Sequence, residues 1–267
     1  MDAPTDIAID AAALREAASA LTEMLRLRTL PIGMKLFEDA EAIAAIPGLR
    51  RPPPGKTYST CQLVTQARIA GLTLGITTEN VPEFSNCSGV IGLDAPSELY
   101  LSGRKMEGVW FENREAAAAH QAGMPRVPAG RYHALVVSPL RAGRLDPPDI
   151  CLFYANPAQM ILFFNGLQWK SYRRYDFSIT GESACADSWG RALATRQVSL
   201  SIPCYAERRY GGVADDELLM ACPPEDLLRG VTGLTGLSKA GLRYPIMPFG
   251  PQAEPAEGMA RSYAGKS

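Results

Sequence analysis

The chain has only two histidines in 267 residues, His120 and His133, and neither lies near a cysteine in sequence. A Cys–His nucleophilic pair would therefore have to be assembled by folding. Charge of one sign is also lacking: 27 basic residues stand against 28 acidic ones, for a net charge of -1. No pull toward nucleic acid or an anionic membrane is built in. A clean apolar span is missing too. The longest run, ICLFYANPAQMILFFNGLQW, is interrupted at Asn156-Pro157 and Gln159, short of the roughly 20 apolar residues a membrane helix needs. It reads as two buried segments joined by a turn. The N-terminal stretch has acids where a secretory signal has bases, and its apolar residues are broken by Arg15, Glu16 and Glu23. The expectation is a cytoplasmic protein. The patterns G-x-x-x-x-G-K-[ST], G-x-G-x-x-G, G-x-S-x-G and H-E-x-x-H do not occur, which removes the best-marked nucleotide, hydrolase and zinc-protease sites. GLTGLSKAGLRY carries glycines and a lysine but follows a helix-like segment, so it is weak as a phosphate loop.

What is present is an ordinary globular balance, 46% apolar and 21% charged, in a chain long enough to bury a full core. Residues 10–28 have Leu14, Ala17, Leu21, Met24 and Leu25 on one helical face. PIGMKLF reads as a strand, and the proline-rich LRRPPPGKTYST delivers the chain to Cys61. From there to Ala70 the spacing is helical, with Gly71 placed as a C-cap. LTLGIT alternates like a strand, and the loop ENVPEFSN leads to Cys87. The second half repeats that order. Cys185 opens a helix carrying Ala186, Trp189 and Leu193, QVSLSI alternates, and Pro203-Cys204 follows.

The fold expected is α/β, with mixed α+β as the alternative: a single domain over residues 1–267, built as two pseudo-duplicated strand-helix-strand halves. The halves run over about 25–140 and 141–235, pack around the cysteines, and are followed by an irregular tail over 245–267. The helical EAAAAHQAG and the strand HALVVSPL lie between them. Glu98 and Glu217, at matching places, are candidate paired carboxylates, though exposed turn acids are the commoner reading.

Six cysteines in a reducing compartment point away from a disulfide framework. Cys151 and Cys222, inside ICLFY and LLMAC, read as core. Cys61, Cys87, Cys185 and Cys204 have polar or small neighbours. Cys61 and Cys185 are expected at helix starts, where the dipole favours a thiolate, and Cys87 and Cys204 in loops after strands. Four thiolates suit tetrahedral zinc or an iron–sulfur cluster. None of the four has a partner at the C-x₂₋₄-C spacing of structural zinc, and dispersed single cysteines suit a cluster cradled between halves. Lys56, Lys170, Arg173, Arg174, Arg208 and Arg209 lie near them in sequence, although each taken alone reads as a solvated face.

KTYSTCQ, TENVPEFSNCSGVIGL, GESACADSW and SIPCYAERRYGGVADDELLMACP together resemble the uncharacterised DUF169 family of bacterial and archaeal proteins, over about residues 25–234. The resemblance implies cysteines recurring at Cys61, Cys87, Cys185 and Cys204, and carries no activity. The chain departs at the last motif, where Pro203 and Tyr205 flank Cys204 and a glycine is expected.

The function expected is an iron–sulfur protein holding one [4Fe–4S] cluster on Cys61, Cys87, Cys185 and Cys204, working with a redox partner or a small-molecule substrate. The alternatives are a cofactor-free thiol protein, either a small-molecule binder or a redox switch, and a structural Cys₄ zinc protein.

Overall fold

The computed structural model describes residues 9–82 and 86–247; the expected tail over 245–267 therefore lies largely outside the described residues. The chain opens with α1 (Ala11–Leu25), capped by Asp10, whose carboxylate accepts the Ala13 amide at 2.8 Å. Its buried face is Leu14, Ala17, Ala18, Leu21 and Leu25, as the 3.6-residue period requires. β1 (Ile32–Phe37) follows, then α2 (Thr60–Ala70) and β2 (Leu74–Thr77). A reciprocal Ser59–Gln62 capping box starts α2, and Gly71 ends it in the left-handed region at φ 72. Three short helices come next: α3 (Asn86–Val90), α4 (Glu98–Leu101) and α5 (Arg114–Gly123). β3 (Ala134–Pro139) and β4 (Ile150–Ala155) precede α6 (Pro157–Leu167), whose Asn156 cap sits at the predicted break in the apolar run. A π-helical turn, Ala186–Gly190, continues as α7 (Arg191–Thr195), followed by β5 (Ser199–Ser201), α8 (Tyr205–Gly211), β6 (Leu218–Cys222) and α9 (Pro224–Lys239). GLTGLSKAGLRY is mostly the end of α9 and forms no phosphate loop.

The strands form one open sheet in the order β2-β3-β1-β4-β6-β5, and every neighbouring pair is antiparallel. The fold is thus the mixed α+β form of the expectation. The helical connections from β1 to β2 and from β4 to β5 each skip one strand, β3 and β6 lying between the strands they join. Each half of the sheet has the same strand order: its first strand (β1, β4) innermost, its third (β3, β6) in the middle and its second (β2, β5) at the edge. The connections differ. α2 joins β1 to β2, whereas α6, a long loop and α7 join β4 to β5.

Both sheet faces are covered, so β3 and β4 are buried along their whole length. On one face Phe153, Ala155, Met220 and Cys222 pack under α1, α6 and α9. There Gly233 lets α9 touch α6, since a Cβ would run into the Gly166 carbonyl oxygen. On the other face Leu152, Tyr154, Leu219 and Ala221 pack with Cys61, Val64, Val90, Cys185 and Trp189. Successive strand residues point to opposite faces, and this separates the cysteines. Cys151 and Cys222 sit opposite each other on β4 and β6, fully buried on the α1–α6–α9 side. Cys61 and Cys185 lie on the other side, with Cys87 packed against them.

Candidate functional site

All four singled-out cysteines stand at helix starts. Cys61 is the second residue of α2, Cys87 the second of α3, Cys185 the residue before the π-helical turn, and Cys204 the N-cap of α8. Cys87 lies inside a helix and not in the loop expected of it, whereas Cys204 ends the loop after β5, as expected, and caps α8. α3 and α8 are too short, and too broken by glycine, to leave an apolar period in the sequence.

The sulfurs of three of them meet. Cys87 Sγ lies 3.9 Å from Cys61 Sγ and 3.4 Å from Cys185 Sγ. Local structure fixes these positions. Ser183, two residues before Cys185, is held at φ 56, a conformation that costs a non-glycine residue energy and marks constrained sites. Its hydroxyl accepts the Asn86 side-chain amide at 2.7 Å, tying the approach to Cys185 to the start of α3. Gly190 lets the π-helical turn close on α3, since a Cβ there would strike Val90. Thr65 joins α2 to α8, its hydroxyl reaching the Cys61 and Gly211 carbonyls at 2.8 and 2.7 Å.

Cys204 belongs to the same neighbourhood, its charge acting on Cys61. Its sulfur takes up the amides of Glu207 and Ala184, the residue beside Cys185. Glu207 completes a capping box by accepting the Cys204 amide at 3.1 Å. Beneath it Arg68, only 1% exposed, reaches from α2 to Glu217 at 3.3 Å and to the Gly211 and Gly212 carbonyls at 3.2 and 2.9 Å. Its guanidinium lies 4.2 Å above the Tyr154 ring. Glu217 is therefore a buried partner of Arg68, while Glu98 is an exposed first residue of α4. They are not paired carboxylates.

The electrostatics set Cys87 apart. Hydrogen bonds from the Cys185 and Cys61 thiols hold its thiol well below the ordinary range, while donating to Cys87 and burial push Cys61 and Cys185 well above it. Burial and the Glu207 charge push Cys204 up to about 12. Burial, and to a lesser degree the Cys87 charge, raises two nearby carboxyls, Glu182 and Glu207, to about 7, against opposing backbone hydrogen bonds. Each keeps one buried oxygen without a hydrogen-bond partner. His120 reaches the Glu182 carbonyl at 3.0 Å. Burial pushes the Arg126 guanidinium down from its ordinary range, with the Cys185 charge opposing.

Among the described residues, no group of three or more His, Cys, Asp or Glu side chains is arranged to hold a metal ion as it stands. The Cys87 sulfur lies against both the Cys61 and the Cys185 sulfurs. Of the basic residues near the cysteines in sequence, Lys56, Lys170, Arg173, Arg174 and Arg209 are solvated, and Arg208 folds back on the Pro203 and Ala214 carbonyls. Sequence reading missed Glu207, Glu182, Arg68 and Arg126. Only Glu207 had a signal: Cys204-x-x-Glu207 has the spacing of a capping box with cysteine in place of serine.

No helix among the described residues is long and apolar enough to cross a membrane. No solved structure matches the chain. It is 24% identical over 221 residues to "Uncharacterized protein MJ0308" of Methanocaldococcus jannaschii, covering 82% of this chain and 92% of that protein. The sequence profile of the DUF169 family, described as "Uncharacterised ArCR", matches residues 20–233. With four fifths of its length inside that match, the chain belongs to the DUF169 family.

Proposed function

We propose that this protein is an iron–sulfur protein whose cluster is held by the thiolates of Cys61, Cys87 and Cys185, with Cys204 beside them as the fourth. The observation that carries this is the meeting of three sulfurs brought by separate helix starts, at 3.9 and 3.4 Å. A disulfide switch accounts for two of these cysteines and leaves a third in contact with them. Three or four buried thiols beside two buried carboxyls form a site that cannot ionise fully without a cation. A metal centre supplies that cation, and the ligands lose their protons as it binds. Amide donors to a cysteine sulfur, as at Cys204, are the kind that tune a cluster's potential. On this reading the work of the protein is electron transfer to a redox partner or the handling of a small substrate at the cluster. The repeated strand order, with a cysteine-bearing helix start before and after each edge strand, supports a duplicated origin for the site.

One observation favours a second reading. The two sulfur separations lie near the edge of roughly 3.8 Å expected for a tetrahedron with 2.3 Å metal–sulfur bonds, which suits one zinc ion better than a cube that holds each thiolate on its own iron. The test is anaerobic purification followed by visible spectroscopy and analysis for iron, zinc and acid-labile sulfide. Broad thiolate-to-iron absorption with matched iron and sulfide is the expected result. Zinc without sulfide selects the second reading. Colourless, metal-free protein that forms a Cys87–Cys185 disulfide on mild oxidation selects the thiol switch.

A further inference from the structure

Across the sheet from the four cysteines, α1, α6 and α9 leave a hollow of about 330 Å³ between them, at the small end of the roughly 300–1,000 Å³ of ligand cavities. Its floor is apolar: Leu25, Leu162 and Leu234 are buried there, and Met24 and Leu242 half-buried. Its rim is charged, with Arg26, Arg243 and Glu23 all exposed. Arg26 ends α1 in the left-handed region at φ 51, its amide closing on the Thr22 and Glu23 carbonyls. α2 and α8 end in the same conformation on Gly71 and Gly212, the residue that adopts it without strain. Arginine at such a place costs backbone energy, and the fold does not recover it, because among the described residues its guanidinium meets neither a hydrogen-bond acceptor nor a carboxylate. Arg243 donates from Nε to the Ser238 carbonyl at 3.0 Å, which holds it over the same hollow with its terminal nitrogens unused among the described residues. The Asn156 side-chain amide donates to the Tyr244 hydroxyl at 3.1 Å and fixes this wall against the start of α6.

We infer that this hollow binds a small amphipathic carboxylate of the medium-chain fatty acid kind, its chain on the leucine floor and its head group at Arg26 and Arg243. Burying the chain there removes apolar surface from water on both sides. Two arginines against one glutamate leave a single positive charge at the rim, which matches one carboxylate, and the planar guanidinium is the donor that suits it. The site lies apart from the cysteines and does not depend on whether they hold a metal.

The experiment is methyl NMR of the full-length protein with labelled methionines, titrated with octanoate and, as an uncharged control of the same chain length, with 1-octanol. The M24L variant assigns the Met24 signal. The expected result is a saturable shift of Met24 with octanoate while Met220, buried in the sheet, stays in place. Binding should weaken roughly tenfold for octanol, and by the same factor for octanoate in R26G/R243A. R26G alone places the favoured residue at the left-handed cap, so it folds even where the double variant does not, and it should weaken octanoate about threefold. A Met24 signal unmoved by octanoate in the wild type would overturn the inference, since the hollow would then take no such ligand. Equal affinity for octanol, or unchanged affinity in R26G and R26G/R243A, would overturn it as well, because the arginines would then hold no carboxylate.

Discussion

Arg68 joins the helix that presents Cys61 to the helix that presents Cys204, and replacing it with methionine tests whether that junction holds the site together. R68M keeps much of the apolar stem over Tyr154 but removes the bond to Glu217 and those to the Gly211 and Gly212 carbonyls. Breaking a buried ion pair from one side costs about 3–5 kcal/mol, because the remaining charge stays buried alone. Glu217 keeps the Ala214 amide at 2.9 Å and a distant Arg28 at 3.8 Å, which places the loss at about 3 kcal/mol. For a chain of this size that lowers Tm by roughly 6–12 °C. The double variant R68M/E217Q removes the stranded charge and should lose less than R68M alone, since no ionised group is then left buried without its partner. Differential scanning calorimetry on metal-free protein reads both values. A fall below about 2 °C in R68M, or a double variant no better than R68M, would refute the reasoning.

Four other outcomes follow. C87S should lose more iron than C61S, C185S or C204S, because Cys87 is the sulfur that touches two others; equal loss in all four would show that it is no hub. C151V and C222V should leave iron content unchanged and shift stability by less than about 1.5 kcal/mol, since both lie across the sheet from the other cysteines; iron loss in either would contradict that separation. G233A should destabilise by about 1–3 kcal/mol by pushing α9 off α6, and a melting temperature equal to wild type would mean the helices can part freely. In metal-free protein Glu182 and Glu207 titrate near pH 7, above the ordinary glutamate value of about 4.3. The folded state thus holds their protons more tightly, and their contribution to stability is present below about pH 4.3 and is lost as pH rises to about 7. Urea midpoints across that window should fall with pH in the wild type and flatten in E182Q/E207Q; an unchanged slope would assign the effect elsewhere.

The elements that carry a period were legible. α1 showed its face through Leu14, Leu21 and Leu25, the end of α2 was marked by Gly71, and the Asn156-Pro157 break marked where β4 gives way to α6. The place of Cys151 and Cys222 in the core could be read because apolar neighbours flank both. What was not legible follows from length and distance. α3 and α8, five and seven residues long, are too short to display a helical pattern, so Cys87 reads as a loop residue and the helix that Cys204 caps goes unseen. The antiparallel sheet depends on which edges pair, and local alternation does not encode that. Arg68 and Glu217 are 149 residues apart, and nothing in their own surroundings announces a buried pair. Glu207 was visible only to a capping box that admits cysteine as the cap.

The measurement that bears most directly on the central claim is X-ray absorption at the iron edge of anaerobically purified wild-type protein. The account predicts a first shell dominated by sulfur and a second shell of iron neighbours, both lost in C87S. An iron-free protein with a zinc edge and a single sulfur shell, or no bound metal at either edge, would contradict it.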